Sequence, residues 1–591
     1  MQRFLLYLCL LYFTFSFSQS EQLADDYFKR GEFEKALIAY QKLNSKKGSS
    51  KNLTKIIKTL QQLERYDEAQ ELLLKRMAIS RYPGLLVELG YNYQLKDSLE
   101  LANKYYNEAI LKVDEKPVYT FNIARKFEEL SLLDNAIIVY KKGMELNPEK
   151  NFSIQLARIY GEQGNIEQMF SNYVNYIEFK PDFINNAKRA FSDFISENKD
   201  NENNIFLKKI LLKKLQTQPD PYWYELLSWL FVQEKAYNKS FTQEKALYKR
   251  NPESLSRIIE LAITAVDKKE YETANTIFNY IIDNSQNIKT VLLAHQYLLD
   301  IEIINATKKQ FNDIDKKYLA LFNQYGTYEQ TLALQIAYGH FLAFHLHKPK
   351  EASEFLKKTL KLETSAFQEA TVKLKLADIL VYQEKFNEAL IYYSQIQANL
   401  KNSTISQEAR FKVAKTSYYK GDFEWAESQL KILKASTSQL IANDALDLKL
   451  LISDNKYEDT LHVALKLYAK ADLMAFQNKT EDAILLLDKI LTEHKGESIE
   501  DQALLKQAQL FEKQKQYTKA ASNYQYIIAN YRVEILADDA HYFLAELYNT
   551  QLGEPEKAKP LYENIIFQHE DSIYFVEARK KYRMLRGDTI N

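Results

Sequence analysis

Residues 121–148 read FNIARKFEELSLLDNAIIVYKKGMELNP, and place Ala124, Phe127, Ala136, Tyr140 and Pro148 at offsets that return along the chain. The same offsets recover Ala24, Tyr27, Ala36 and Tyr40 before this stretch, and Ala157, Tyr160, Met169, Tyr173 and Pro181 after it. A phrase of roughly 34 residues recurring about fourteen times predicts a helix–turn–helix unit that cannot bury its apolar face alone and must stack on its neighbours. The small residues let two helices approach closely, and the aromatics fill the space between units.

With the small residue of each second helix as a ruler, the positions are Ala36, Ala69, Ala102, Ala136 and then Met169. The ruler lapses and resumes at Ser240, Ala274, Ala352, Ala389, Ala426, Ala483, Ala520 and Ala558. In most units another small residue lies twelve positions earlier, as at Ala24, Gly90, Ala124, Ala157, Ser228, Ala262, Ala377, Ala414, Ala471 and Ala508. Two stretches depart from the pattern. Asn185–Gln218 contains a polar run, residues 197–204, that reads as a loop between helices, and Asn287–Thr331 lacks the ruler residues. Each is expected to stack as a helical pair and to offer a hinge.

Composition narrows the classes. Lys plus Arg and Asp plus Glu both total 79, so no global field exists to concentrate nucleic acid or an anionic membrane. With 13 Gly and 10 Pro in 591 residues, the chain is poor in turn formers and reads as almost entirely helical. The N-terminus carries Arg3, an apolar run from Phe4 to Phe15, and Ser16-Phe17-Ser18 before Gln19. This reads as a cleavable secretory leader, with an uncleaved anchor as the lesser reading because the run is short of the ~18 residues a span requires. Cys9, the one cysteine, falls inside the leader, in mid-run rather than at the end where a lipoprotein needs it. An exported chain without disulfides suits a bacterial periplasm better than the eukaryotic secretory route.

The ruler positions are those of the tetratricopeptide repeat, which Leu89-Gly90, Tyr93, Ala102, Tyr106 and Ala109 resemble closely, with the closing proline displaced to Pro117. The resemblance covers most of the exported chain. It implies an all-α solenoid, a right-handed superhelix of helical hairpins, and a protein-binding role. The C-terminal third, through Gly421-Asp422-Phe423-Glu424-Trp425-Ala426, Ile527 to Tyr531 and Ala537-Asp538-Asp539-Ala540, is similar to the extended repeats of periplasmic proteins that coordinate outer-membrane assembly and cell division. Those repeats commonly join through Tyr-Pro-x-Ser, where this chain has Tyr531-Arg532 and His569-Glu570-Asp571-Ser572. The expected organisation is a leader (1–18), an N-terminal array (19–184), an irregular helical segment (185–220), a hairpin pair (221–286), a second irregular segment (287–331), a C-terminal array (332–572), and a capping helix with a charged outer face and tail (573–591).

Neither a nucleophile with a base nor a Gly-rich phosphate turn is evident, and the acids alternate with Lys and Arg as solvated helix faces do. No cofactor, metal or catalytic residue is expected. His340, His345 and His347 are spaced unlike the i, i+4 pair that puts two imidazoles on one helical face. Arg586-Gly587-Asp588 reads as a helix stop.

What the resemblance implies about a site lies in the groove. The residue after each small one faces it, giving Asp25, Lys58, Tyr91, Arg125, Arg158 and Trp229. Lys58, Tyr91, Arg125 and Arg158 form a basic and aromatic strip suited to carboxylates, against the plainer reading of solvated side chains. Adjacent slots hold Glu21, Thr54, Val87, Phe121 and Ile154, which lack the Lys and Asn of chaperone-tail adaptors. Val87, Phe121 and Ile154 are expected instead to anchor an extended or helical partner segment. Trp223, Trp229 and Trp425 are either interface anchors or core. The leading expectation is a non-enzymatic periplasmic scaffold for protein or peptide partners in envelope complexes. It would be either free in the periplasm or docked on an outer-membrane complex, and would bind no nucleic acid. The alternative is a module for acidic peptide or cell-wall glycan, and a helical-toroid hydrolase ranks last.

Overall fold

The computed structural model describes residues 21–46, 48–252, 254–433, 439–456 and 461–588. The leader (1–18) and Cys9 lie outside them. Among the described residues there are α-helices joined by short turns and no strand. The chain divides into two compact units, Met1–Ser254 and Leu255–Asn591, a division that falls between the two hairpins of 221–286.

Each unit is a solenoid of tetratricopeptide-like hairpins, and burial of the ruler positions shows why the sequence folds this way. Ala36, Ala69, Ala136, Ala274, Ala352, Ala389, Ala426, Ala483, Ala520 and Ala558 are all 0 % exposed. Their partners Ala24, Ala124, Ala157, Ala262, Ala377, Ala414, Ala471 and Ala508 are equally closed off. A larger side chain would hold the two helices apart. At Gly90 even a Cβ would fall 2.6 Å from the Tyr106 ring. Ser228 and Ser240 replace the small pair in one hairpin, and their hydroxyls meet at 2.8 Å, which satisfies two polar groups in a buried contact.

The turn inside each hairpin is equally regular. One residue enters the left-handed region at Gly31, Glu64, Asp97, Ser131, Gly164, Lys235, Lys269, Glu384, Gly421, Asn478 and Lys515. The residue after it donates its N–H back to a carbonyl in the last turn of the first helix, as Ser98 to Tyr93, Leu132 to Phe127 and Gln516 to Phe511. This is the bond pattern that closes a helix through a left-handed residue. Glycine is absent from most of these turns although it would relieve strain there.

The second helix carries the repeat tyrosine, whose ring is buried and whose hydroxyl must find an acceptor. It does so on the first helix: Tyr40 donates to Asp25 (2.6 Å), Tyr106 to Gln94 (2.8 Å), Tyr140 to Glu128 (2.5 Å), Tyr393 to Asp378 (2.6 Å) and Tyr524 to Glu512 (2.5 Å).

The irregular stretches are helical too. Asn201 caps the helix Glu202–Thr217 through the N–H groups of Asn203 and Asn204 after the polar run, and the helices Ile288–Asn305 and Phe311–Tyr325 occupy the second stretch. The long step from Ala426 to Ala483 is filled by an extra helix, Gln439–Asn455, which packs on Phe423–Leu433.

Candidate functional site

In the first unit, Lys58, Tyr91, Arg125, Arg158 and Trp229 each sit on the first helix of their hairpins: Ser50–Gln62, Gly84–Leu95, Thr120–Glu129, Ser153–Glu162 and Pro221–Gln233. Lys58, Arg125 and Arg158 are exposed and Tyr91 is half-buried. Lys58 and Tyr91 line one shallow hollow together with Glu88, Lys126 and Glu129. Trp229 lies apart from that hollow, packed into the core with its ring centroid 6.3 Å from that of Phe191.

Carboxylates that the slot reading did not include interleave the strip. Arg125 Nε lies 3.5 Å from Glu129, and Arg158 Nη2 lies 3.2 Å from Glu128, which also accepts the Tyr140 hydroxyl. Lys126 joins Glu88 at 3.0 Å and Glu129 at 2.7 Å, and Arg76 approaches Glu88 at 3.6 Å. Burial would raise the Glu129 carboxyl, but Lys126, Lys58 and Arg125 outweigh it and hold it below the usual range. The surface is thus one of mixed charge. Val87 is 0 % exposed and belongs to the core, so the expectation that it anchors a partner fails, whereas Phe121 is 41 % exposed. The slot rule misplaces Val87 because the helix Gly84–Leu95 is covered almost all round.

The second unit carries a denser arrangement. Its first helices, Leu332–Phe344, Ala366–Tyr382, Thr404–Lys420, Val463–Phe476 and Ile499–Lys513, make closer contact with one another than the second helices do, so they form the inside of the curve. Asp378 accepts from Tyr393 and pairs with Lys412 at 3.2 Å. Asp472 pairs with Lys415 at 2.6 Å and with Lys506 at 2.7 Å. Burial would raise the Asp472 carboxyl, yet the two ammonium groups dominate and hold it far below the usual range. The Lys415 ammonium also lies 5.0 Å from the Tyr418 ring centroid and 5.3 Å from that of Tyr419, within cation–π reach.

At the C-terminal ends of these helices the inside face is stitched shut. Gln477 Nε2 donates to the Tyr382 carbonyl at 2.9 Å, and Asn478 Nδ2 to the Phe344 carbonyl at 3.3 Å. Phe344 meets Tyr382 and Phe476 edge-on with centroids 5.0 and 5.4 Å apart. At the N-terminal ends the face is open, forming a groove of roughly 360 Å³ lined by Leu292, Leu293, Ala333, Ile336, Phe367 and Thr371, with Lys289 and Glu329 at its edge. Phe367 is 59 % exposed there.

Of the histidines, His340 is half-buried and stacks on Phe344 at 4.4 Å. Burial, reinforced by Lys375 and His345, pushes its imidazole down to about 4. His347 Nδ1 lies 3.2 Å from the Tyr382 hydroxyl. Trp223 is core at 0 % exposed and Trp425 is 52 % exposed. Among the described residues no group of three or more His, Cys, Asp and Glu is placed to hold a metal ion, and no helix is long and apolar enough to cross a membrane.

No family model and no curated protein matches the chain. Among solved structures it is similar to the Naa15/Naa10 complex bound to HypK-THB, at 13% identity over 97% of both chains with a TM-score of 0.29. It is also similar to the APC/C hetero-tetramer Cut9-Hcn1, at 11% identity over 98% of both chains with a TM-score of 0.23. A third similarity is to yeast Tom70, at 16% identity over 85% of this chain and 99% of that one with a TM-score of 0.29. Scores this low carry no argument, and the assignment of the fold rests on the buried ruler positions of the chain itself.

Proposed function

We propose that the chain is a non-enzymatic scaffold that holds protein partners along the inside faces of its hairpin arrays, and that it does so in the periplasm of a Gram-negative envelope, within assembly, secretion or motility complexes. The observation that carries the scaffold reading is the ladder of polar and charged side chains along stacked first helices, exemplified by Asp378, Lys412, Lys415, Asp472 and Lys506. Such a surface offers repeated, evenly spaced contacts to an extended segment. The compartment rests on the leader-like N-terminus and the chain's lack of any cysteine beyond Cys9. Crosslinking the native protein in intact cells and sequencing what is attached tests both parts. Envelope proteins at inside-face positions support the proposal, and recovery of no protein overturns it.

The second reading, a module for acidic peptide or glycan, draws on the exposure of Lys58, Arg125 and Arg158. Charge reversal at Arg125 and Arg158 that leaves retention of such a ligand unchanged would exclude that strip.

A further inference from the structure

Lysines and acids are interleaved on the inside face of the second unit, with Glu408 near Tyr393 beside Asp378 and Asp501 near Tyr468 beside Asp472. Lys375, Lys412, Lys415 and Lys506 face Asp378 and Asp472. Lys412, Lys415 and Lys506 have side chains 27–28% exposed, and each has a carboxylate. Lys375 is half-buried and forms no ion pair among the described residues. A partly buried cation without a counter-ion is held at a cost that an incoming anion removes, whereas the well-solvated Arg125 and Arg158 of the first unit, 64% and 58% exposed, gain little from one.

The open apolar groove is continuous with this charge. Phe367, Thr371, Lys375 and Asp378 recur at helical spacing along one face of Ala366–Tyr382. Ala333 and Ile336 lead in the same way to His340 on Leu332–Phe344. From Phe367 to Lys375 is about 12 Å along the helix axis, a distance that about four residues of extended chain cover.

We propose that this face binds an extended segment of a partner protein in which an apolar side chain, seated in the groove beside Phe367, is followed or preceded about four residues away by acidic side chains that meet Lys375 and the lysines beyond it. This deepens the scaffold reading and rests on it. Charge complementarity selects the occupant: Lys375, which forms no ion pair among the described residues, calls for a carboxylate. Asp378 and Asp472, spaced among the lysines, repel a continuous phosphate backbone, and the groove requires an apolar anchor.

The test is selection of a phage-displayed library of random 12-residue peptides on the full-length protein, repeated on the variants Phe367→Ser and Lys375→Gln. Phe367 is more than half exposed and Lys375 forms no ion pair among the described residues, so neither change breaks a salt bridge; hydrogen exchange of the helix Ala366–Tyr382 verifies that it stays folded. The expected result is enrichment of peptides with an apolar residue three to five positions from two or more acids, bound about tenfold more weakly by each variant, the loss of one charge-assisted or apolar contact. No enrichment, enrichment without acids, or enrichment indifferent to both variants overturns the proposal. If crosslinking in cells recovers partner proteins attached elsewhere, this face is excluded while the scaffold reading stands.

Discussion

Replacing Asp472 by Asn should loosen the second unit, and the magnitude follows from its surroundings. The Asp472 carboxylate is 8 % exposed and lies between the ammonium groups of Lys415 and Lys506. Removing one partner of a buried ion pair typically costs 3–5 kcal/mol because the other charge is left uncompensated. Here both lysines keep about a quarter of their side-chain exposure, which screens them, so a loss of about 2–4 kcal/mol is expected. A long repeat array need not unfold in one step, so the assay is site-resolved hydrogen exchange of the helices Thr404–Lys420, Val463–Phe476 and Ile499–Lys513. Their slowest amides should exchange roughly 30- to 800-fold faster in the variant. The pH dependence has a fixed sign. Asp472 is depressed in the folded chain, so its contribution is complete above the ordinary carboxylate range and fades as pH falls through that range and below. The gap between parent and variant should therefore narrow below about pH 4. Exchange within threefold of the parent at neutral pH, or a gap that stays constant into acid, would refute the assignment of Asp472 as the neutralising centre.

Two further outcomes are expected. Gly143→Ala should destabilise the helix pair Thr120–Glu129 and Leu133–Leu146, because the new Cβ would fall 2.2 Å from Thr120 Cγ2; against a helix-propensity gain of about 1 kcal/mol, overpacking leaves a net loss of about 1–2 kcal/mol, and faster exchange in both helices checks it. Asp300, whose carboxyl burial pushes up to about 6, weakens the fold as pH rises through that value, so Asp300→Asn should gain about 2 kcal/mol at pH 7 and nothing at pH 4; local exchange of Ile288–Asn305 that shows the same pH profile in both proteins would count against it.

The architecture was legible because small size is a property a sequence displays directly. Ala124 against Ala136 and Ala377 against Ala389 are visible as letters, and each pair is buried. The tyrosine after each ruler residue was visible too, but its acceptor was not, since it lies twelve residues earlier at Gln94 and Glu128 and fifteen earlier at Asp25, and several side chains in reach can accept. The groove strip was read one cation at a time. Glu88 escaped because an ion pair between helices depends on the rotation of both, and the periodicity of one helix does not report it, whereas Glu129 pairs with Lys126 and Arg125 at i, i+3 and i, i+4 on its own helix and was open to reading. Val87 shows the same limit from the apolar side, a groove slot by register and core by packing. The extra helix Gln439–Asn455 showed only as a long interval between rulers, and the bonds of Gln477 and Asn478 to Tyr382 and Phe344 left no local trace.

Those last two bonds bear on how this chain can change over generations. Tandem arrays usually gain and lose whole units readily, because each unit meets only its neighbours and a duplicate is accepted anywhere. Between Phe344 and Asn478 that freedom is withdrawn: one more or one fewer hairpin would carry the Asn478 amide away from the carbonyl it serves. Length variation among descendants of this chain should therefore accumulate outside residues 344–478, and the number of hairpins within that interval should be inherited unchanged.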